Sequence, residues 1–226
     1  MIVYGKQVVL YILQHHSELI KKIYLTKELE PKLFKKFTDT GVKIIKPDQK
    51  KAQSLARGGN HQGFLLEIEP FNFCDITDIK KGNFIVVLDG LSDVGNIGAI
   101  VRSCYALGVE GIVICGIKNF QPEGVVRTSS GAMLDMNIAL YNNSADLANE
   151  LKQKGFSLIG AAMDGEDLKS IEQDNGKKAL FLGSESAGLS KKVQQKLDRK
   201  VAIKMKNDFD SLNVSVAAAI LIYELI

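Results

Sequence analysis

Four short runs fix the fold class of most of this chain. Phe84 to Leu88, Gly111 to Cys115, Phe156 to Gly160 and Ala179 to Leu182 are almost wholly apolar, and helical stretches separate them, notably Ile97 to Leu107 and Asp146 to Lys154. Strands apolar on both faces must be covered on both faces, and strands alternating with helices build a parallel sheet. The expectation is an α/β domain from Asn83 onward. Leu212 to Ile226, rich in Ala and Leu and without Gly or Pro, closes it as a helix.

The first third follows a smaller version of the same alternation. Val8 to Leu13 is apolar, and Lys22 to Thr26 and Val42 to Ile45 are short strand candidates. Pro31 suits the first turn of a helix carrying Leu33, Phe34 and Phe37, which Gly41 closes. Asp48 suits the N-cap of Gln49 to Ala56, and the turn-rich Arg57 to Gly63 leads into a strand over Phe64 to Ile68. The predicted organisation is a small α/β module at 1–70, a linker at 71–82 and the larger domain at 83–226.

Charge separates these parts. Residues 1–70 hold 12 Lys and Arg against 7 Asp and Glu, a net of +5, while the remainder holds 17 against 19. A basic module on a nearly neutral body suits a polyanionic partner, although a lysine-rich solvated surface has the same composition. No run approaches the about 18 apolar residues of a membrane span, and the N-terminus has no secretory h-region or cleavage site. With three cysteines, Cys74, Cys104 and Cys115, and no C-x-x-C pair, a disulfide framework is not expected. A cytoplasmic protein is the expectation. His15, His16 and His61 lack the spacing of a zinc site.

Several common chemistries have no motif here. No G-x-G occurs, so the dinucleotide fingerprint is missing. Gly5-Lys6 and Gly176-Lys177 complete no P-loop, and there is no G-x-S-x-G elbow. Three polar clusters instead follow predicted strands, where open α/β sheets build their sites. The first runs from Asp89 to Arg102; Asn96 suits a helix cap there, and Arg102 lies six residues further on, carrying a fork that matches phosphate or carboxylate. The second is Gly183-Ser184-Glu185-Ser186-Ala187-Gly188, in which Gly183 would allow a ligand close to the backbone; Ser190 suits the cap of the next helix. The third runs from Ile203 to Ser215, with Ser211 suited to an N-cap and Asn213 less easily explained by helix propensity.

Together the clusters resemble the SpoU–TrmH family of RNA ribose 2′-O-methyltransferases, within the SPOUT superfamily. The first motif is matched by Asn96, Gly98-Ala99 and Arg102, and the second by Gly183, Glu185 and Gly188. The third is matched by Ile203, Met205 and Ser211-Leu212-Asn213-Val214-Ser215. The basic module, with Tyr4-Gly5-Lys6 and Asn60-His61-Gln62-Gly63, is similar to the family's substrate-binding domain. Val94 and Lys204 stand where the family often has Pro, and Asn207 where it usually has Gly.

The resemblance implies a SPOUT-type parallel sheet with a C-terminal trefoil knot, and a small N-terminal α/β RNA-binding domain. It implies S-adenosylmethionine (SAM) as methyl donor, no metal, and a homodimer. The acceptor it implies is RNA, with a guanosine of large-subunit (23S) ribosomal RNA as the leading substrate. A transfer-RNA enzyme and a non-catalytic ribosome-assembly factor are the alternatives. Leu182, Gly183, Ile203, Met205 and Leu212 would hold SAM. Arg102, Asn96, Glu185, Ser211 and Asn213 would form the catalytic set. Since a guanidinium stays protonated, Arg102 suits an electrostatic clamp better than a general base.

Overall fold

The computed structural model describes residues 1–171, 176–184, 187–207 and 211–226, in two compact units: 1–72 with 121–134, and 73–120 with 135–226. The smaller unit runs β1 (Ile2–Tyr4), α1 (Lys6–His15), β2 (Ile20–Leu25), α2 (Pro31–Thr38), β3 (Ile44–Ile45), α3 (Gln49–Leu55) and β4 (Phe64–Ile68). Its sheet has the order β1-β4-β2-β3, with only β2 and β3 parallel. Pro31 opens α2 as expected, and the Asp48 carboxylate caps α3 by accepting from Lys51 N–H at 2.7 Å. Strand β1 was not anticipated: three residues before a glycine are too few for a period to show.

The larger unit contains α4 (Ile76–Ile79), β5 (Phe84–Asp89), α5 (Val94–Leu107), β6 (Gly111–Cys115), β7 (Ile138–Tyr141), α7 (Ser144–Gln153), β8 (Ser157–Asp167), β9 (Lys178–Gly183), α8 (Lys191–Gln194), β10 (Arg199–Ala202) and α9 (Val214–Leu225). Helix α6 (Pro122–Thr128) falls in the segment that groups with the smaller unit, where it lies on β1. Among the described residues six strands pair in the order β10-β8-β9-β5-β6-β7, every pair parallel. Both faces are buried. Ile85, Val87, Val113, Ala179 and Phe181 pack with Leu147, Leu151 and Val193 on one side, while Val86, Leu88, Ile112, Leu180 and Leu182 are buried between them along the strands. Each buried Val, Leu, Ile or Phe side chain here contributes about 1.5–3 kcal/mol of burial.

Two strands beyond the four expected, β7 and β10, complete the sheet. Arg199 and Lys200 hide β10, an edge strand whose polar residues give no apolar signature. Strand β8 extends well past Gly160, through a register break opposite Lys200 and Val201. The stretch expected as a linker, 71–82, carries α4, capped by Asp75, whose side chain accepts from Thr77 N–H at 2.8 Å. Ile79 is buried in the core of the larger unit, and Lys80 pairs with Glu150 of α7. Glu150 also accepts from the Tyr141 hydroxyl at 2.5 Å; that bond, with burial, pushes the phenol up to about 12. Among the described residues no helix is long and apolar enough to cross a membrane.

Candidate functional site

Strands β6 and β7 lie on one side of β5, and β9, β8 and β10 on the other. The carboxyl ends beside such a reversal form the usual crevice of an open α/β sheet. Here the last residues of β5 and β9, Asp89 and Gly183, are register partners. The Asp89 carboxylate accepts from the Ser144 hydroxyl at 2.6 Å and from Ser190 N–H at 3.4 Å. One strand-end carboxylate thus ties down the start of α7 and the segment after β9. Asp89 was not singled out from the sequence, although a lone acid closing an otherwise apolar strand is a visible signal.

The glycine of the second motif is required by its own loop. A Cβ on Gly183 would overlap the backbone of Gly188 and Leu189, which approach it closely. An antiparallel bridge between Ser184 and Gly188 closes that loop, and Gly188 has φ +62°. Glu185 lies in it, outside the described residues. Ser190 caps α8 as expected, accepting from Val193 N–H at 3.4 Å.

The first and third motifs meet through hydrogen bonds. Helix α5 begins before Asn96, and its cap is Asp93, whose carboxylate accepts from Asn96 N–H at 2.7 Å. Asn96 is therefore not the cap. Likewise Asn213, not Ser211, caps α9. The Asn213 Oδ1 accepts from Ser215 N–H at 2.9 Å and from the Ser215 hydroxyl at 2.6 Å. Its Nδ2 then donates to Asn96 Oδ1 at 3.0 Å, where α5 and α9 pack together. Ser211 is exposed and outside regular structure. Arg102 is exposed on α5 and makes no ion pair among the described residues. It lies six residues from Asn96, about 9 Å along the helix axis.

The expected cofactor residues are of two kinds. Leu182 is buried within β9, one residue before its carboxyl end. Ile203, Met205 and Leu212 are half-buried and lie outside helices and strands. Half-buried apolar side chains on non-repetitive backbone fit a ligand with an apolar heteroaromatic body and polar tips, as SAM is. Burial, together with the Asp89 charge, pushes the Cys115 thiol up to about 12, and burial raises Cys104 further, so neither offers a thiolate. Among the described residues no cluster of His, Cys, Asp and Glu suits a metal ion.

In the smaller unit the two segments singled out from the sequence also meet. Lys6 N–H donates to Gln62 Oε1 at 3.0 Å, joining the turn after β1 to the loop before β4. The Arg127 guanidinium sits 5.0 Å from the centre of the Tyr4 ring.

Residues 83–223 match the profile of the SpoU rRNA Methylase family, and residues 2–74 that of RNA 2′-O ribose methyltransferase substrate binding. An Archaeoglobus fulgidus protein described as an uncharacterized tRNA/rRNA methyltransferase is 32% identical over 213 residues, covering 91% of this chain and 90% of that one. Two crystal structures share the fold. An AdoMet-bound rRNA methyltransferase from Sinorhizobium meliloti has a TM-score of 0.75 at 23% identity, over 99% of this chain and 85% of that one. The SpoU methyltransferase AviRb from Streptomyces viridochromogenes, in complex with AdoMet, has a TM-score of 0.78 at 22% identity, over 100% of this chain and 88% of that one.

Proposed function

Because the chain belongs to the SpoU methylase family of RNA methyltransferases, we propose that it transfers the methyl group of SAM to a ribose 2′-hydroxyl, on a guanosine of large-subunit ribosomal RNA. The observation that carries the reading is the hydrogen bond from Asn213 to Asn96, which joins two of the three motifs across 117 residues.

When bound, SAM supplies a methyl on an already activated sulfonium. The chain's residues must then hold the ribose, exclude water and stabilise charge on the 2′-oxygen as it loses its proton. Arg102 supplies a fixed positive charge and a planar fork for an RNA phosphate or the developing alkoxide, and the proton leaves to a phosphate oxygen or water. Asn96, held by Asn213, orients the ribose. Glu185 and Ser211 complete the polar set in this reading. Leu182, Gly183, Ile203, Met205 and Leu212 hold the cofactor, and the C-terminal segment is tucked through a trefoil knot.

Residues 1–70 select the RNA, 83–226 carry the catalysis with α4 of the stretch 71–82 packed into their core, and two chains pair. Exposed Val216, Tyr223 and Ile226 on and after α9, with Tyr105 on α5, support that pairing surface. The cytoplasm is the matching compartment.

The test is transfer of labelled methyl from SAM to protein-free large-subunit ribosomal RNA and to bulk transfer RNA, with the product mapped by 2′-O-methyl-sensitive cleavage. A mapped mark on ribosomal RNA is expected. Label confined to transfer RNA would replace the substrate, and no label in either would favour the assembly-factor reading.

A further inference from the structure

The smaller unit carries a cleft of about 470 Å³, within the size range of small-ligand sites. It is lined by Thr26 and Lys27 after β2, Gln49 and Gln53 of α3, and the loop 58–63. No acidic, aliphatic or aromatic side chain other than His61 lines it, and Lys27 is its one charged residue. Amides, backbone and one cation suit a polar, neutral or anionic group.

His61 makes this a built site rather than a surface dent. It is 6% exposed, and its Nδ1 accepts from Gly63 N–H at 3.1 Å. In the neutral ring the proton therefore sits on Nε2. That N–H has no partner among the described residues, and no buried side-chain nitrogen or oxygen among them lacks one. The Nε2–H must then reach the surface, and His61 is one of the residues lining the cleft. A mostly buried imidazole thus offers its second donor at this corner.

The surrounding loop holds that donor still. Gln62 sits at φ +55°, an unfavourable region for a residue with a side chain, and its N–H donates to Asn60 Oδ1 at 3.2 Å. Gln53 Nε2 donates to Gly59 O at 3.4 Å, and Phe64 N–H to His61 O at 2.9 Å. The Lys27 stem lies against Gly63, where a Cβ would come within 2.9 Å of it, and the ammonium is 4.6 Å from the Phe64 ring centre. Gln49 is exposed at the lip, and its side chain makes no hydrogen bond among the described residues.

Resting on the reading that the substrate is RNA, we propose that this cleft receives one unpaired nucleobase of that RNA. His61 Nε2–H donates to a base oxygen or ring nitrogen, the Gln49 amide reads the rest of the edge, and Lys27 attracts the adjoining phosphate. Paired bases have their Watson–Crick edges occupied, and RNA readers accordingly favour splayed, single-stranded positions. The cleft provides edge contacts without a stacking platform, so affinity from it is modest and selectivity is its main product.

The test is base-edge chemical probing of protein-free large-subunit ribosomal RNA and of bulk transfer RNA, with full-length wild type, His61→Asn and Gln49→Ala. Asn in place of His61 keeps an acceptor for Gly63 N–H and removes the distal donor. Wild type should shield a small set of unpaired bases. His61→Asn should lose one of them while keeping SAM affinity within twofold, with RNA Kd raised about five- to tenfold. Gln49→Ala, at an exposed position that does not bear on folding, should raise RNA Kd about two- to threefold and weaken shielding of the same base. The same loss seen in transfer RNA would support the cleft and move the substrate. Unchanged shielding and affinity in both variants, with wild type bound to RNA, would overturn the cleft alone. No RNA binding by wild type would overturn both the cleft and the reading it rests on.

Discussion

The strand-end site of the larger unit and the loop corner of the smaller one are built on opposite plans. Asn96 and Asn213 are 117 residues apart and become partners only because α9 returns to α5. The corner is mostly one loop, 58–63, held by its own backbone geometry and a few bonds to α1 and α3. A long-range site depends on the whole sheet being in place and suits chemistry, where small displacements cost large factors. A local corner tolerates change in the rest of the unit and suits recognition. Damage to the first should therefore appear in turnover, and damage to the second in RNA affinity.

Arg102 gives this contrast its severest trial. Arg102→Ala should lower kcat by about 100-fold or more, in line with losing a group that stabilises developing negative charge. Arg102→Lys keeps the charge and loses the planar fork, so a loss of about tenfold is expected. Both follow from single-turnover methyl transfer at saturating RNA and SAM. A raised RNA KM with unchanged kcat would move Arg102 from the reacting ribose to the binding surface.

Gly183→Ala should come next. Its new methyl would run into the Gly188–Leu189 backbone, which cannot yield as a flexible side chain does. The loop after β9 must shift, and SAM Kd should rise about tenfold while RNA Kd holds. Calorimetric titration with SAM checks this, and an unchanged Kd would remove that loop from the cofactor site.

The Asn213 amide has two jobs that substitution can separate. Serine is a good N-cap but cannot reach Asn96 with an N–H, so Asn213→Ser should keep the thermal midpoint and lower kcat about five- to tenfold. Asn213→Ala loses the cap as well, about 1 kcal/mol more, or about 2–4 °C in midpoint. If the serine variant turns over like wild type, the Asn213–Asn96 bond is structural only.

These assignments also mark how far the sequence could be followed. The central strands were legible because burial on both faces leaves an unbroken apolar run, as in Gly111 to Cys115. Strand β10 was not, since an edge strand keeps Arg199 and Lys200 in its ladder. Asp48 and Ser190 cap the helices expected of them, but the caps of α5 and α9 fall on neighbouring residues. Asp93 and Asn96, and Ser211 and Asn213, are pairs of cap-capable residues within one turn, and periodicity cannot choose between them. Asp93, rather than Asn96, caps α5, and the Asn96 side chain accepts from Asn213 where α5 and α9 pack together. The motif residues themselves stood out only as a combined pattern, because each taken singly also suits a cap or a solvated surface.

The smallest effect concerns the frame around the strand-end site. Asp198, just before β10, accepts from Lys152 Nζ at 2.7 Å and from Leu158 N–H at 2.8 Å, joining α7 and β8. Burial alone would raise its pKa, but the Lys152 ammonium and the Leu158 N–H outweigh burial and hold the carboxyl below its usual range. A carboxyl whose pKa is lower folded than unfolded stabilises the fold above the unfolded value of about 3.9. That stabilisation fades as pH falls through the folded value. Both Asp198 and Lys152 side chains are 41% exposed, so solvent screening keeps the contribution within about 1 kcal/mol. Asp198→Asn should therefore lower the thermal midpoint by about 2–4 °C at pH 7, with the gap to wild type closing as pH drops below about 4. Turnover at pH 7, well below the midpoint, should stay near wild type, because this carboxylate fixes the register of the strands and does not reach Asn96 or Asn213. A kcat deficit without a midpoint shift would mean that the frame and the site are less separable than the contrast between the two regions requires.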